Sequence, residues 1–391
     1  MAGSTPVVAR FLNRIDPERR ARLARAALIT ALADFTLFNG YQVWHAWPQK
    51  LAETDFRVWY SAASIGVRSG WSHLYDLTYQ RTALEGVAPG TLFEAFGNPP
   101  IAAWIIAPFT LIPYQAALAL WSVLILFIVV ALSQGFAPAG RATRLAYALS
   151  AIGFLPTFVM MEAAPLSPVV VGAVGVCALL LIRGKDIAAG AVLSLIMVKP
   201  NIALLIPVTL LVAGWSRVFL AWLATSAAIG LISLAAIGTS GLLDFINANV
   251  TLFQETYHLN YSLEVILGSS TAWAIALVVI VALALIAAWL SRGGGPEIPI
   301  VVGIVSTLLI NHHLTPADFT ILLPAVWLLL RTRPELTMRL LGGALWAAGW
   351  MSSVGLAWPV AAVQALVLGA LVIRRRAGSE PQTRGEGRPW R

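Results

Sequence analysis

Apolar residues run along this chain in long blocks, separated by short polar segments rather than by single polar positions. The blocks fall at about 26–47, 98–135, 145–161, 166–182, 186–216, 218–238, 271–290, 298–310, 317–330, 338–354 and 358–373. A membrane barrel would need short strands alternating apolar and polar residues, and these runs are unbroken. They predict helices, and their lengths predict an all-α, polytopic transmembrane protein. Two blocks are ambiguous. The first, 98–135, is interrupted by Pro108 and Pro113; the second, 186–216, by Pro200. A spanning helix needs about 20 residues, which neither half of 186–216 supplies.

The cationic residues decide how these blocks are threaded. Arg10, Arg14, Arg19, Arg20, Arg22 and Arg25 precede the first block, and Arg374, Arg375 and Arg376 follow the last. Cytoplasmic segments carry an excess of Lys and Arg, so both termini are expected inside and the number of crossings even. One crossing at 98–135 and a pair at 186–216 also put Arg141, Arg144, Arg183 and Lys185 inside. This threading gives about 12 crossings, with a helix pair meeting near Lys199–Pro200. Only Lys50, Arg57, Arg68, Arg81 and Lys199 then lie outside, leaving 21 of the 26 cationic residues inside.

Composition agrees. The chain is 59% hydrophobic and 11% charged, whereas a soluble domain is about 25% charged. A soluble enzyme and a secreted disulfide scaffold are excluded, and the single Cys177 permits no intrachain disulfide. The net charge of +8 reflects topology, so no nucleic-acid partner is expected. Three regions follow: a basic cytoplasmic leader at 1–25, a membrane domain at 26–373 and a basic, disordered cytoplasmic tail at 374–391. The first block reads as a signal anchor, and the whole as a multi-pass protein of a bacterial inner membrane.

The candidate chemistry gathers on the outer face. All five histidines (His45, His73, His258, His312 and His313) fall there, with carboxylates that include Glu53, Asp55, Glu94, Glu162 and Asp318. Lys199 stands in LIMVKPNIALLIP with apolar sequence on both sides. A lysine at membrane depth costs about 2.5–3.5 kcal/mol on insertion scales, so it should face a wet cavity or an anion. Pro200 prevents a continuous helix there. The long outer loop 48–97 is expected to carry interfacial helices. Within it, residues 55–69 place Phe56, Trp59, Tyr60, Ala63 and Val67 on one helical face, which predicts a helix lying in the membrane interface with Asp55 at the lipid boundary. Asp34, inside the first block, fits either a helix partner or a proton carrier.

Four segments carry a family resemblance. TDFRVWYSAASIGVRSGWSHLYD (54–76) resembles the first-loop signature of glycosyltransferase family 87, the polyprenyl-phosphate-mannose-dependent enzymes with a GT-C fold. GNPPIAAWIIAPFTLIPYQAALALW (97–121) is similar to that family's Tyr-Pro-Pro segment. AGAVLSLIMVKPNIALLIPVTLLVAGWSR (189–217) is similar to its Gly…Lys-Pro segment, and NHHLTPADFTILLPA (311–325) to its late outer loop. Two departures stand out. Asn98 replaces the Tyr before Pro99–Pro100, and the Gly-Gln-Asn stretch expected near 164–168 reads Ala-Pro-Leu-Ser-Pro.

The resemblance implies an inverting transfer of mannose or another hexose from a polyprenyl-phosphate donor to a lipid or glycan acceptor at the outer face. It implies Asp55 as general base. A fixed cation would stabilise the leaving phosphate, and Lys199 is the first candidate, with His312 and His313 as donors. Arg57, Tyr60, Arg68, Asn98, Glu162 and Asp318 are candidate substrate contacts. No cofactor or metal is expected, because adjacent histidines are poorly placed to chelate. Two other readings remain open at this stage: a lipid or small-molecule transporter or flippase, and a non-catalytic subunit that keeps the fold.

Overall fold

The computed structural model describes residues 16–50, 54–255, 261–331 and 336–377. Much of the leader, most of the tail, Glu53 and His258 lie outside the described residues. Seventeen α-helices and several short 3-10 turns, with no strand, make up the described residues. They are α1 (Pro17–Lys50), α2 (Phe56–Ser69), α3 (Leu77–Val87), α4 (Pro100–Ile106), α5 (Tyr114–Phe136) and α6 (Arg141–Ile152). Next come α7 (Leu155–Ala163), α8 (Ser167–Ile182), α9 (Asp186–Leu193), α10 (Leu205–Val212), α11 (Ser216–Glu255) and α12 (Leu263–Leu267). The chain ends with α13 (Ser270–Leu290), α14 (Glu297–Ile310), α15 (Leu322–Arg331), α16 (Leu336–Ser352) and α17 (Ala357–Ala377).

The apolar blocks do become helices, but many are broken. Among the described residues three helices are long and apolar enough to cross a membrane unaided: α5, α11 up to Val250, and α13. A fourth span is possible if α6 and α7, bent by 52° at residues 153–154, count as one. The expectation of 12 crossings therefore rests on charge placement rather than on helix length. The 98–135 block divides where its prolines fall. Its first part is a short helix and a 3-10 turn, Ala107–Leu111, and its second is the full-length α5.

The 186–216 block is broken as Pro200 requires. Helix α9 tightens into a 3-10 turn at Ser194–Val198, a second turn covers Pro200–Ile202, and α10 leads back. Two glycines let neighbouring backbones close on this broken pair. A Cβ at Gly190 would sit 2.2 Å from the Val218 carbonyl oxygen of α11. A Cβ at Gly303, on α14, would sit 2.7 Å from Thr209 Oγ1 and from the Ile206 Cα. Small residues permit this approach where no hydrophobic driving force separates helix from lipid.

Helix α2 forms over the expected residues, but its surroundings differ from an interfacial helix. Phe56, Arg57, Val58, Tyr60 through Gly66 are all buried, so the helix is enclosed nearly all round. It packs on α3, α4 and the turns at 71–73 and 107–111. The aromatic face meets protein instead of lipid: Phe56 stacks with Tyr114 and Trp121 at centroid separations of 6.1 and 5.9 Å. Val67, assigned to that face, is 50% exposed. Period alone marks an apolar face and leaves its occupant open.

The close approach at Gly190 can be tested. Gly190→Ala should lower stability by about 1–3 kcal/mol, the cost of overpacking, read as a lower melting temperature of the purified protein. Gly343→Ala on α16, where nothing lies within 4 Å of the added Cβ, should not lower it.

Candidate functional site

The break at 194–202 leaves backbone groups without helical partners, and buried groups of that kind must be satisfied from elsewhere. Other segments supply them. Asn98 Nδ2 donates to the Val198 carbonyl at 3.0 Å, and the Leu205 N–H donates to Thr307 Oγ1 at 3.1 Å. Asn98 is itself held by Tyr75, whose hydroxyl donates to the Asn98 carbonyl at 2.6 Å. The residue that departs from the family's Tyr-Pro-Pro pattern therefore clamps the backbone beside Lys199. Lys199 has non-helical φ/ψ of −149° and 75° between the two turns.

Its ammonium meets Asp318. Lys199 Nζ lies 2.5 Å from Asp318 Oδ1, which also accepts from Ser167 Oγ at 2.7 Å. The ammonium lies 3.4 Å from Ser167 Oγ. Asp318 Oδ2 accepts from the Thr315 N–H at 3.0 Å and from Thr315 Oγ1 at 3.1 Å. Both carboxylate oxygens are thus doubly engaged. The Asp318 side chain is 0% exposed, whereas that of Lys199 is 17% exposed. Asp318 was expected to touch substrate, but a carboxylate this enclosed and this fully bonded touches Lys199, Ser167 and Thr315. Lys199 keeps an open edge.

Asp55 is placed by backbone. Its N–H donates to the Ala163 carbonyl at 2.8 Å, tying the start of α2 to the end of α7. The flanking Thr54 hydroxyl and the Tyr114 hydroxyl are 2.8 Å apart. The Asp55 side chain caps nothing. Its pKa is pushed up to about 7, first by burial and next by the negative charge of Glu94. Lys199 and Arg57 pull it down, and Asp318 adds a further upward push. Asp55 and Lys199, 144 positions apart, therefore share one electrostatic neighbourhood, yet the ion pair of Lys199 is made with Asp318. An unpaired carboxylate with this pKa is about half ionised at neutral pH, the condition suited to a general base.

Glu94, one of the outer-face carboxylates, belongs to this group. Arg57 reaches it at 3.6 Å and also donates to the Leu92 carbonyl at 3.0 Å. Arg57 thus fastens the 92–94 segment beside Asp55. The only signal in the sequence was an acidic residue shortly before the Asn-Pro-Pro segment.

The other candidates divide. His313 is half-buried and within the field of Asp318, Lys199 and His312; burial lowers its pKa, which favours the neutral imidazole. His312 is exposed. Glu162 lies next to Ala163, whose carbonyl holds Asp55. Tyr60 is buried and spends its hydroxyl on the Ile112 carbonyl at 2.8 Å, so it supports the helix rather than presenting a polar group. Arg68 is exposed in the last turn of α2, which at 1.5 Å per residue is about 20 Å along the helix from Asp55. Asp34 is exposed on α1. Asp76, in the first-loop segment, caps α3 by accepting from the Thr78 and Tyr79 N–H groups. A recess of about 660 Å³ lined by Arg81, Thr82, Glu85, Thr91 and Phe93 lies on the same long loop but contains neither Asp55 nor Lys199.

Ala164, directly after the Asp55 anchor, is buried with φ 48° and ψ 48°. This left-handed conformation costs an L-residue roughly 1–2 kcal/mol. Ala164→Gly should therefore raise stability by up to about 1 kcal/mol, after the larger entropy of the unfolded glycine is allowed for. A higher melting temperature would show it.

Comparison with known families gives one match: the model of glycosyltransferase family 87 fits residues 96–310. Neither the curated proteins nor the solved structures contain a match. The matched stretch includes Asn98, Glu162, Ser167 and Lys199, while Asp55, His312, His313 and Asp318 lie beyond its ends. It covers more than half of the chain, and its broken apolar helices are those of a membrane protein. This chain belongs to glycosyltransferase family 87.

Proposed function

We propose that the protein transfers a hexose, with mannose the first candidate, from a polyprenyl-phosphate donor to a lipid or glycan acceptor at the outer face of the inner membrane. The observation that carries this reading is the pairing of opposites in one neighbourhood: an unpaired carboxylate with a pKa of about 7 and a fixed ammonium with an open edge. In the proposed reaction Asp55 accepts the proton of the acceptor hydroxyl as its oxygen attacks the anomeric carbon. The bond to the donor phosphate breaks on the opposite side, with inversion. The leaving phosphate gains negative charge, and Lys199 stabilises that charge more in the transition state than before it. Neutral His313 adds a hydrogen bond. The polyprenyl tail stays among lipids, which explains why a sugar transferase would be built from apolar helices. The threading with both termini cytoplasmic and about 12 crossings places 48–97 and 311–316 on the same outer side, as a shared site requires.

The two principal residues should fail differently. Asp55→Asn removes basicity at constant size, so turnover should be abolished, by about 10²–10⁴-fold, while binding of polyprenyl phosphate is kept. Lys199→Ala should weaken both donor binding and rate. Separate binding and transfer assays on purified protein would test this, and transfer by Asp55→Asn at the wild-type rate would refute the assignment.

The pH dependence has a defined sign. A base with a pKa of about 7 loses activity as pH falls through 7, so kcat/KM should drop about tenfold per unit on the acidic side. Because Lys199 lowers the Asp55 pKa, the residual activity of Lys199→Ala should show that limb displaced to higher pH.

A further inference from the structure

Asp318 is the most fully engaged polar side chain in the site and has no part in the reaction as proposed. Its two oxygens accept from four donors: Lys199 Nζ, Ser167 Oγ, the Thr315 N–H and Thr315 Oγ1. A carboxylate has about four lone-pair sites, so none is left for a substrate hydroxyl. These four donors come from three separate parts of the chain: the start of α8, the break at 199 and the turn at 315. The side chain of Asp318 is wholly buried, and so is Ser167.

An ammonium has three donor positions. In Lys199 one goes to Asp318 and a second points toward Ser167 at 3.4 Å. The third is the one left for the open edge. A lysine side chain has four rotatable carbons and would otherwise range widely. Bound in this way it is held in one direction by a carboxylate that is itself fixed by Ser167 and Thr315. Thr315 bonds Asp318 from its own turn, so the anchor is held by contacts that do not depend on Lys199.

We infer that Asp318 is a positioning residue, and that with Ser167 it aims the third donor of Lys199 at the phosphate of the lipid donor. This rests on the proposed function above and adds to it the group that makes Lys199 directional. It also sets an expectation opposite in sign to simple charge counting. A carboxylate near an anionic donor should repel it, so on that basis Asp318→Asn would tighten phosphate binding. As a positioning residue, Asp318 should instead be needed for it.

The test uses full-length protein in lipid nanodiscs, with a long-chain polyprenyl phosphate as the binding probe and its hexose-loaded form as donor. Asp318→Asn, Lys199→Met, the double variant and Ser167→Ala are compared with wild type. Asp318→Asn should bind the probe several-fold more weakly and lose roughly 10²-fold in transfer, the scale of a misplaced group. The double variant should be no worse than Lys199→Met alone, because the two residues act as one unit. Ser167→Ala leaves both charges in place and should lower kcat several-fold with little change in KM, so it keeps the test open if Asp318→Asn does not fold. Tighter probe binding by Asp318→Asn, wild-type kcat in Ser167→Ala, or losses that multiply in the double variant would overturn the inference. Failure of the wild type to bind the probe would instead remove the donor reading and this inference with it.

Discussion

An ammonium among apolar helices must reach water or find a carboxylate, and Lys199 does most of the second and a little of the first. That constraint organises the centre of the molecule. Pro200 breaks the helix pair and frees the lysine from a helical path; Asn98 and Thr307 satisfy the exposed backbone. Asp318 and Ser167 then draw the turn at 315–321 and the start of α8 onto the break. Residues near positions 98, 167, 199 and 318 are thereby fixed against one another by polar contacts within an apolar surround. Each contact is strong because water is scarce.

The two carboxylates nearest Lys199 show what environment does to identical chemistry. Asp318 has four donors, one of them the Lys199 cation, so its charge is well compensated. Asp55 has none of these on its side chain, and Glu94 stands in its field. One carboxylate is therefore spent on structure, while the other is left able to take a proton near neutral pH. Groups whose surroundings push their pKa values apart are how a site divides structural and acid–base roles. Arg57 acts on both sides of that division, pairing with Glu94 and lowering the Asp55 pKa.

Much of the fold was legible because apolar block length and proline position act locally. The bounds of α2, the split of 98–135 and the break at Pro200 all appear where the residues required them. What could not be read locally depended on contacts between distant segments. The apolar face of α2 is the same whether lipid or Tyr114 and Trp121 cover it, so its burial could not be read. Crossing number was equally hidden, since short helices such as α9 and α10 reveal nothing of their depth by composition. In the site, Asp55 and Lys199 were marked by a loop signature and by an isolated charge. Asp318 was visible as a residue but not as the partner of a lysine 119 positions away. Glu94 was visible only as one outer-face carboxylate among several, shortly before the Asn-Pro-Pro segment. Conversely, the Tyr75–Asp76 pair of the first-loop segment proves to be scaffolding: one residue steadies Asn98 and the other caps a helix.

The departure at 164–168 bears on whether the chemistry is kept. Ala-Pro-Leu-Ser-Pro does not read as an eroded segment. Ala164 holds the left-handed turn, the Pro165 carbonyl accepts from Trp121 Nε1 at 3.3 Å, and Ser167 joins the Lys199–Asp318 pair. Of these, Ser167 ties the segment directly to Lys199. Stability gives no reason for that arrangement, since replacing a buried ion pair by well-packed apolar residues is commonly neutral or stabilising. A subunit that retained only the fold would be served as well by an apolar cluster at these positions. An ion pair with an open edge, beside an unpaired carboxylate, suits the proposed transfer from a charged phosphate donor.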